Sequence, residues 1–379
     1  MALRCVLADT LLLSSGPKNL LLIVGFLGCA GPNSSQDSQH LRVSGEPECK
    51  DCRIELRRVA ILGDSTDTSS VRPDAASKEC MVGRLRSGEW VLSGVAGGGL
   101  LNIYGETGKL IRTIGRKGAG PGEFRSPLRH VVGSDDSLFV IDDGNARIQL
   151  MTAAGDFVRV FPTRDRFRGF ALLPDDQLVL FRVPSKRTDH LFHQFDRNGQ
   201  LVRSFGTPIQ PDSSLDLENW FVVAAPQGRF WTASIWSYEL RRWRAPDTLD
   251  LEVSREVDWF RSPSVYPAGV YVTVPPPPLL LHAWEDSSGR LWTYTAVADL
   301  NWAPGMKIVP SPEWQEKTFD TVIEVIDLST GKLLASMRHP ARLGIVCNSP
   351  LMYGVDETAD GDLRVSVYEP QLNRATGTQ

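Results

Sequence analysis

The chain lacks any apolar stretch long enough to cross a bilayer: its most hydrophobic run, residues 20–27, falls well short of the ~20 residues a membrane helix needs. It also lacks an excess of charge. With 41 basic against 45 acidic residues and a net charge of -4, it offers no polycationic surface to a phosphate backbone, so nucleic acid is not an expected partner. Histidine is scarce, at 6 residues in 379, and no Gly-x-Ser-x-Gly elbow supplies a start for Ser-His-Asp catalysis. Cys49-Lys-Asp-Cys52 has no second close cysteine pair to complete a tetrahedral metal site and no βαβ pattern to make it a redox motif. What the chain does have is 42% hydrophobic and 23% charged residues, the composition of a globular protein with a core. Its 33 glycines and 25 prolines, beside 10 tryptophans and 15 phenylalanines, suit many short strands joined by tight turns. The expected class is all-β.

One pattern recurs along the chain. A turn pair followed by an apolar strand appears at Ser87-Gly88, Asp135-Asp136, Asp175-Asp176, Gln227-Gly228, Ser288-Gly289 and Asp360-Gly361. The steps between copies, 40 to 72 residues, match a four-stranded blade with insertions that lengthen toward the C-terminus. A second hairpin signal lies within the repeats, as in Glu106-Thr107-Gly108-Lys109 and Ser329-Thr330-Gly331-Lys332. The sixth repeat runs out after Tyr368 without an outer hairpin, whereas residues 54–63 form an outer-type strand with no inner strands before it. The expected fold is therefore a six-bladed β-propeller in which the N-terminal strand completes the last blade and leaves no unpaired edge at the seam.

Residues 20–27, preceded by Lys18 and followed by Gly28-Cys29-Ala30, resemble a bacterial lipoprotein signal, although Phe26 stands where leucine is usual. The resemblance implies a signal over 1–28 and a lipid on Cys29 that holds the protein to a membrane of the cell envelope; Ala30 after the cysteine leans to the outer membrane. Residues 29–48 read as a flexible tether and 49–379 as the propeller. Export would leave Cys49, Cys52, Cys80 and Cys347 where disulfides persist. A disulfide within the Cys49–Cys52 loop is the favoured reading. Cys80 and Cys347 would then bridge the first and last blades, although spacing alone does not fix the connectivity.

The run Gly118-Ala119-Gly120-Pro121-Gly122-Glu123-Phe124, together with Val140-Ile141-Asp142-Asp143-Gly144-Asn145-Ala146-Arg147-Ile148, resembles NHL-repeat propellers. It is most similar to the six-bladed, TolB-like bacterial lipoproteins, in which Cys-x-x-Cys and a Leu-Gly-Asp strand also follow the signal. That resemblance implies a fold and not a chemistry.

Propeller ligands usually bind over the central channel, where the innermost strands converge. These strands are expected near 80–85, 128–133, 167–173, 219–225, 280–285 and 352–356. The ligand-binding candidates on them are Arg129, His130, Arg168, Trp220, His282, Trp284 and Tyr353. Related lactonases and esterases hold calcium there, but Asn219, Glu285 and Asp356 are too few for its oxygen shell. Related lyases use histidine-bound zinc, and only His130 and His282 occupy inner positions. His190 and His193 lie three apart and would face opposite ways on a strand. Asp142-Asp143 reads as a turn cap. The basic clusters at 164–168 and 241–244 could suit RNA, which export and the acidic balance oppose. The leading expectation is a non-catalytic binding or scaffolding propeller that takes a protein, peptide or glycan at the channel mouth, with no catalytic residue, metal or cofactor. A metal-dependent hydrolase or lyase is the alternative.

Overall fold

Short apolar runs, many joined by turns with a residue in the left-handed conformation, pair in the computed structural model into six sheets of four or five strands. The structure describes residues 38–63, 80–94, 100–162, 167–182, 190–206, 220–244, 248–261, 271–272, 274–307, 318–357 and 363–374. Cys29 and the signal expected before it lie outside the described residues.

The six sheets are the blades of a propeller. From the inside outward, blade one comprises Val82–Arg84, Trp90–Leu92, Leu101–Tyr104 and Leu110–Ile114; blade two comprises Pro127–Val132, Leu138–Asp142, Arg147–Met151 and Phe157–Pro162. Blade three is Phe167–Leu173, Gln177–Arg182, Phe192–Phe195 and Leu201–Phe205. Blade four begins with Trp220–Ala225, Arg229–Ser234, Glu239–Arg244 and Thr248–Glu256, and blade five is Leu279–Glu285, Arg290–Ala298, Phe319–Asp327 and Lys332–His339. Blade six is Gly344–Ile345, Met352–Glu357, Leu363–Arg374 and, from the other end of the chain, Cys52–Leu62. Buried aliphatic and aromatic side chains fill the spaces between neighbouring blades, as where Leu62, Trp90, Tyr353 and Val365 pack across the seam of blades six and one.

The seam is closed twice. On the outside, Cys52–Leu62 pairs antiparallel with Leu363–Arg374 in a register that sets Leu62 opposite Val365 and Cys52 opposite Arg374, so the expected closure by residues 54–63 is present. On the inside, the Cys80 N–H donates to the Ile345 carbonyl at 2.8 Å, and a disulfide joins Cys80 to Cys347. The second disulfide joins Cys49 to Cys52 at the start of the closing strand.

Two sequence expectations need correction. The stretch assigned to a tether over 29–48 contains the strand Gln39–Ser44, which adds to blade four as a fifth strand parallel to Thr248–Glu256. Its alternation decides this: Val43 is fully buried, whereas His40 and Arg42 face outward. The added strand covers an edge that would otherwise be unpaired. The other correction concerns blade six. Met352–Glu357 is its second strand and Gly344–Ile345 its innermost. Asp360-Gly361 falls outside the described residues, but the strand after it, Leu363–Arg374, is third in the blade; in the other five blades the matching signal precedes the second strand.

Candidate functional site

Each innermost strand turns into the second strand of its blade through a residue in the left-handed region. Five such residues are not glycine: Asp136, Asp175, Asp176, Gln227 and Asn348. Prolines 174 and 226 begin the turns of blades three and four with their fixed φ, which helps hold these turns in one shape. Together the six turns ring a cavity of about 790 Å³ at the C-terminal ends of the innermost strands. All six blades line it: Arg84 and Arg86 from the first, Val132 to Ser134 from the second, Leu172 to Pro174 with Asp176 from the third. Ala224 to Pro226, Trp284 with Glu285, 346–351 and Glu369, which pairs with Arg57, complete the wall. The volume lies in the range of pockets for small ligands or for a few side chains of a larger partner.

Residues 346–351 of blade six reach across the channel. Cys347 is bonded to Cys80 of blade one, the Asn348 side-chain amide donates to the Leu172 carbonyl of blade three at 2.8 Å, and the Tyr294 hydroxyl of blade five donates to the Pro350 carbonyl at 3.3 Å. Cys347 thus lines both the mouth cavity and a smaller pocket of about 30 Å³ on its other side, which also touches Arg129, Phe170 and His282.

The carboxylates of the wall are already engaged. Asp176, 2% exposed, accepts from the Ser134 backbone N–H at 2.9 Å and pairs with Arg197. Glu285, 3% exposed, accepts from Arg229 and Arg242 at 3.0 Å each and from the Trp231 indole N–H at 2.9 Å. Arg242 also pairs with Asp250, Arg241 with Glu252, and Arg244 lies 3.8 Å from Asp250, so the basic cluster at 241–244 sits among carboxylates. Arg84 and Arg86 differ: both are exposed, and neither has a carboxylate partner to its side chain among the described residues. The Arg84 guanidinium lies 5.1 Å from the centroid of the buried Trp90 ring, a stacking that orients it without neutralising it.

Of the residues expected at the mouth whose side chains are described, Trp284 alone lines the cavity. Arg129 and His282 line the small pocket, with Arg129 3.4 Å from the Asp143 carboxylate and its guanidinium over the Phe170 ring. His130 is buried on the innermost strand of blade two, with Nδ1 3.0 Å from the Ser93 hydroxyl and Nε2 against Gly83. Burial lowers its pKa from 6.5 to about 3. Burial likewise lowers His282 to about 3, outweighing an opposing hydrogen bond to the backbone of Ser349. Both rings are therefore neutral at physiological pH. Trp220 packs among Phe181 and Phe192 between blades three and four, and Tyr353 is buried on the second strand of blade six. Arg168 belongs to the innermost strand of blade three. His190 precedes the strand that carries His193, whose Nδ1 is 2.8 Å from the Ser204 hydroxyl.

Among the described residues, no three His, Cys, Asp or Glu side chains converge as a metal shell would need. Asp142 is fully buried and accepts the backbone N–H groups of Arg125 and Ser126 at 2.9 and 3.0 Å, so it anchors the loop that precedes blade two. Sequence reasoning missed Arg84, Arg86, Asn348 and Ser349. The first two lie just before the Ser87-Gly88 turn, and residues at the turn-side ends of the innermost strands, rather than at their middles, prove to be the ones at the mouth.

No protein-family model matches the chain, and no curated protein matches it. Solved structures do. A Bacteroides fragilis protein described as exported is similar over 89% of this chain and 100% of its own, with a TM-score of 0.56 and 10% identity. A member of the DUF4221 family from Bacteroides vulgatus is similar over 86% of this chain and 100% of its own, with a TM-score of 0.57 and 10% identity. A virginiamycin B lyase from Staphylococcus aureus aligns more loosely, at a TM-score of 0.45 and 9% identity over 83% of this chain and 99% of that one. The first two likenesses show a shared fold.

Proposed function

We propose that this chain is an exported binding propeller of the NHL and TolB-like kind, held to the cell envelope by a lipid on Cys29, which takes a protein, peptide or glycan into its mouth without transforming it. One observation carries the reading: the cavity has a rim contributed by all six blades, but the acids on its wall, Asp176, Glu285 and Glu369, are paired with arginines, and the two inner-strand histidines are buried and uncharged. A general acid or base needs access and a pKa near the working pH; the two histidines, buried and near 3, have neither, and the acids are held by their arginines. A preformed concave rim is what binding requires. Export is supported by the two disulfides, which persist in oxidising compartments, and by the similar fold of a protein described as exported.

Site-specific photocrosslinking in cells tests the reading. A benzoylphenylalanine at Ser349, on the mouth, should give discrete adducts. The same group at Leu201, 55% exposed on the outer strand of blade three, should not. Adducts from Leu201 alone would reject the mouth as the site. The anchor is tested by Cys29→Ser, which should move the protein from the membrane fraction to the soluble one.

A further inference from the structure

We infer that the mouth selects an acidic peptide segment of a partner protein, one that carries a carboxylate beside an apolar side chain. The inference rests on the mouth being the ligand site and names the chemistry recognised there. The three carboxylates that line the cavity, Asp176, Glu285 and Glu369, have their charge balanced from behind the wall by Arg197, by Arg229 with Arg242, and by Arg57, so they contribute little net field to the cavity. Arg84 and Arg86 remain as exposed cations on one side of it, two residues apart at the end of the innermost strand of blade one. A guanidinium is a planar fork of donors that matches a carboxylate; the Arg84 fork is held against Trp90, and the Arg86 fork is steadied by one N–H donated to the Ser134 carbonyl at 2.5 Å.

The rest of the wall decides between peptide and glycan. Val132, Leu172, Leu173, Val346 and Leu351 give the cavity an aliphatic lining. A sugar pressed against it would strip water from hydroxyls that find no partner there, whereas an aliphatic or aromatic side chain gains by the same burial. Trp284, half-buried on blade five, adds an aromatic edge to that apolar side.

The test is selection of a phage-displayed random heptapeptide library against the full-chain protein, followed by calorimetry with the selected peptides. Selected peptides should be enriched in Asp or Glu next to Leu, Ile, Val or Phe. Replacing their acids by Gln or Asn should weaken binding about tenfold or more, as should Arg84→Ala and Arg86→Ala, both at exposed positions. Affinity should also fall as salt rises. Ala224→Trp, which fills the cavity, should abolish binding; Leu201→Trp, exposed on the outer strand of blade three and away from the mouth, is its control, and both are checked by thermal melting.

Peptides without acidic enrichment, or rich in Lys and Arg, that are still blocked by Ala224→Trp would overturn the charge inference and leave the mouth as the site. Acidic peptides that bind the wild type and both tryptophan variants equally would overturn the charge inference and the mouth reading together. Failure to select any peptide would overturn the peptide inference. Binding of oligogalacturonate or maltodextrin that Ala224→Trp abolishes would then show that the mouth takes a glycan instead.

Discussion

Arg255 and Glu324 meet inside the protein, each 3% exposed or less, where the guanidinium donates to the carboxylate at 3.1 and 3.0 Å. Arg255 lies one residue before the end of the fourth strand of blade four, and Glu324 lies on the third strand of blade five. The remaining guanidinium N–H groups reach the carbonyls of Val43, Glu256 and Gly45, and the Tyr238 hydroxyl completes the carboxylate at 2.8 Å. The pair therefore joins two blades and holds the end of the added strand Gln39–Ser44.

Removing one partner should cost far more than removing both. Arg255→Met leaves Glu324 buried without its counter-charge and is expected to destabilise the fold by about 3–5 kcal/mol, while Arg255→Met with Glu324→Leu recovers much of the loss. Urea unfolding checks the energies. Faster amide exchange over 39–44 in Arg255→Met checks the local role; unchanged exchange there would separate the strand from the pair.

The buried histidines give the protein a pH dependence of known sign. Above 6.5, the ordinary histidine value, both imidazoles are neutral whether the chain is folded or not. Below it the unfolded chain binds protons that the folded chain refuses down to about 3. Stability should fall over that window by on the order of 1.4 kcal/mol per pH unit for each histidine. Denaturation at about pH 7 and about pH 5 measures the slope, and His130→Asn with His282→Asn should flatten it.

The disulfide between Cys80 and Cys347 closes a sequence separation of 267 residues. Cys80→Ser with Cys347→Ser should lower stability by about 2–4 kcal/mol through the freed unfolded chain. Blade six should remain paired, because Cys52–Leu62 still closes the seam from outside. Thermal melting with and without reductant gives the energy; hydrogen exchange over 52–62 shows whether the outer closure persists.

Gly108 turns the outer hairpin of blade one with φ of +81°, and a Cβ built there would lie 1.7 Å from the carbonyl oxygen of Ile61 on the closing strand. The Gly63 N–H donates to the Gly108 carbonyl at 3.1 Å, so the two segments cannot simply part. Gly108→Ala should therefore cost about 2–3 kcal/mol in denaturant unfolding, more than a hairpin turn on an open edge would.

The architecture was readable because most inner turns carry the same short polar signal, and because the closing strand 54–63 had no partner nearby in sequence. Blade six was misread because Asp360-Gly361 resembles those signals although the strand after it is third in its blade. Its true inner turn at Asn348 reaches the left-handed conformation without a glycine or a paired aspartate. Gln39–Ser44 was hidden by its polarity, although Leu41 and Val43 carry the alternation of a half-buried strand. The mouth was the least legible part. Strand periodicity shows which residues alternate between faces, but it does not show which end of the channel is open. His130, Trp220 and Tyr353 were thus expected in a space that their own blades fill.

Residues 346–351, fastened to blades one, three and five, make this ring a cup and not a pipe. The recess beyond them, about 30 Å³, has room for roughly one water molecule. A guest must leave by the door it entered, so a change in the Cys347 to Pro350 turn would reshape the seat of whatever docks there without moving the rim. Variants in that turn should alter how long a guest stays more than how fast it arrives.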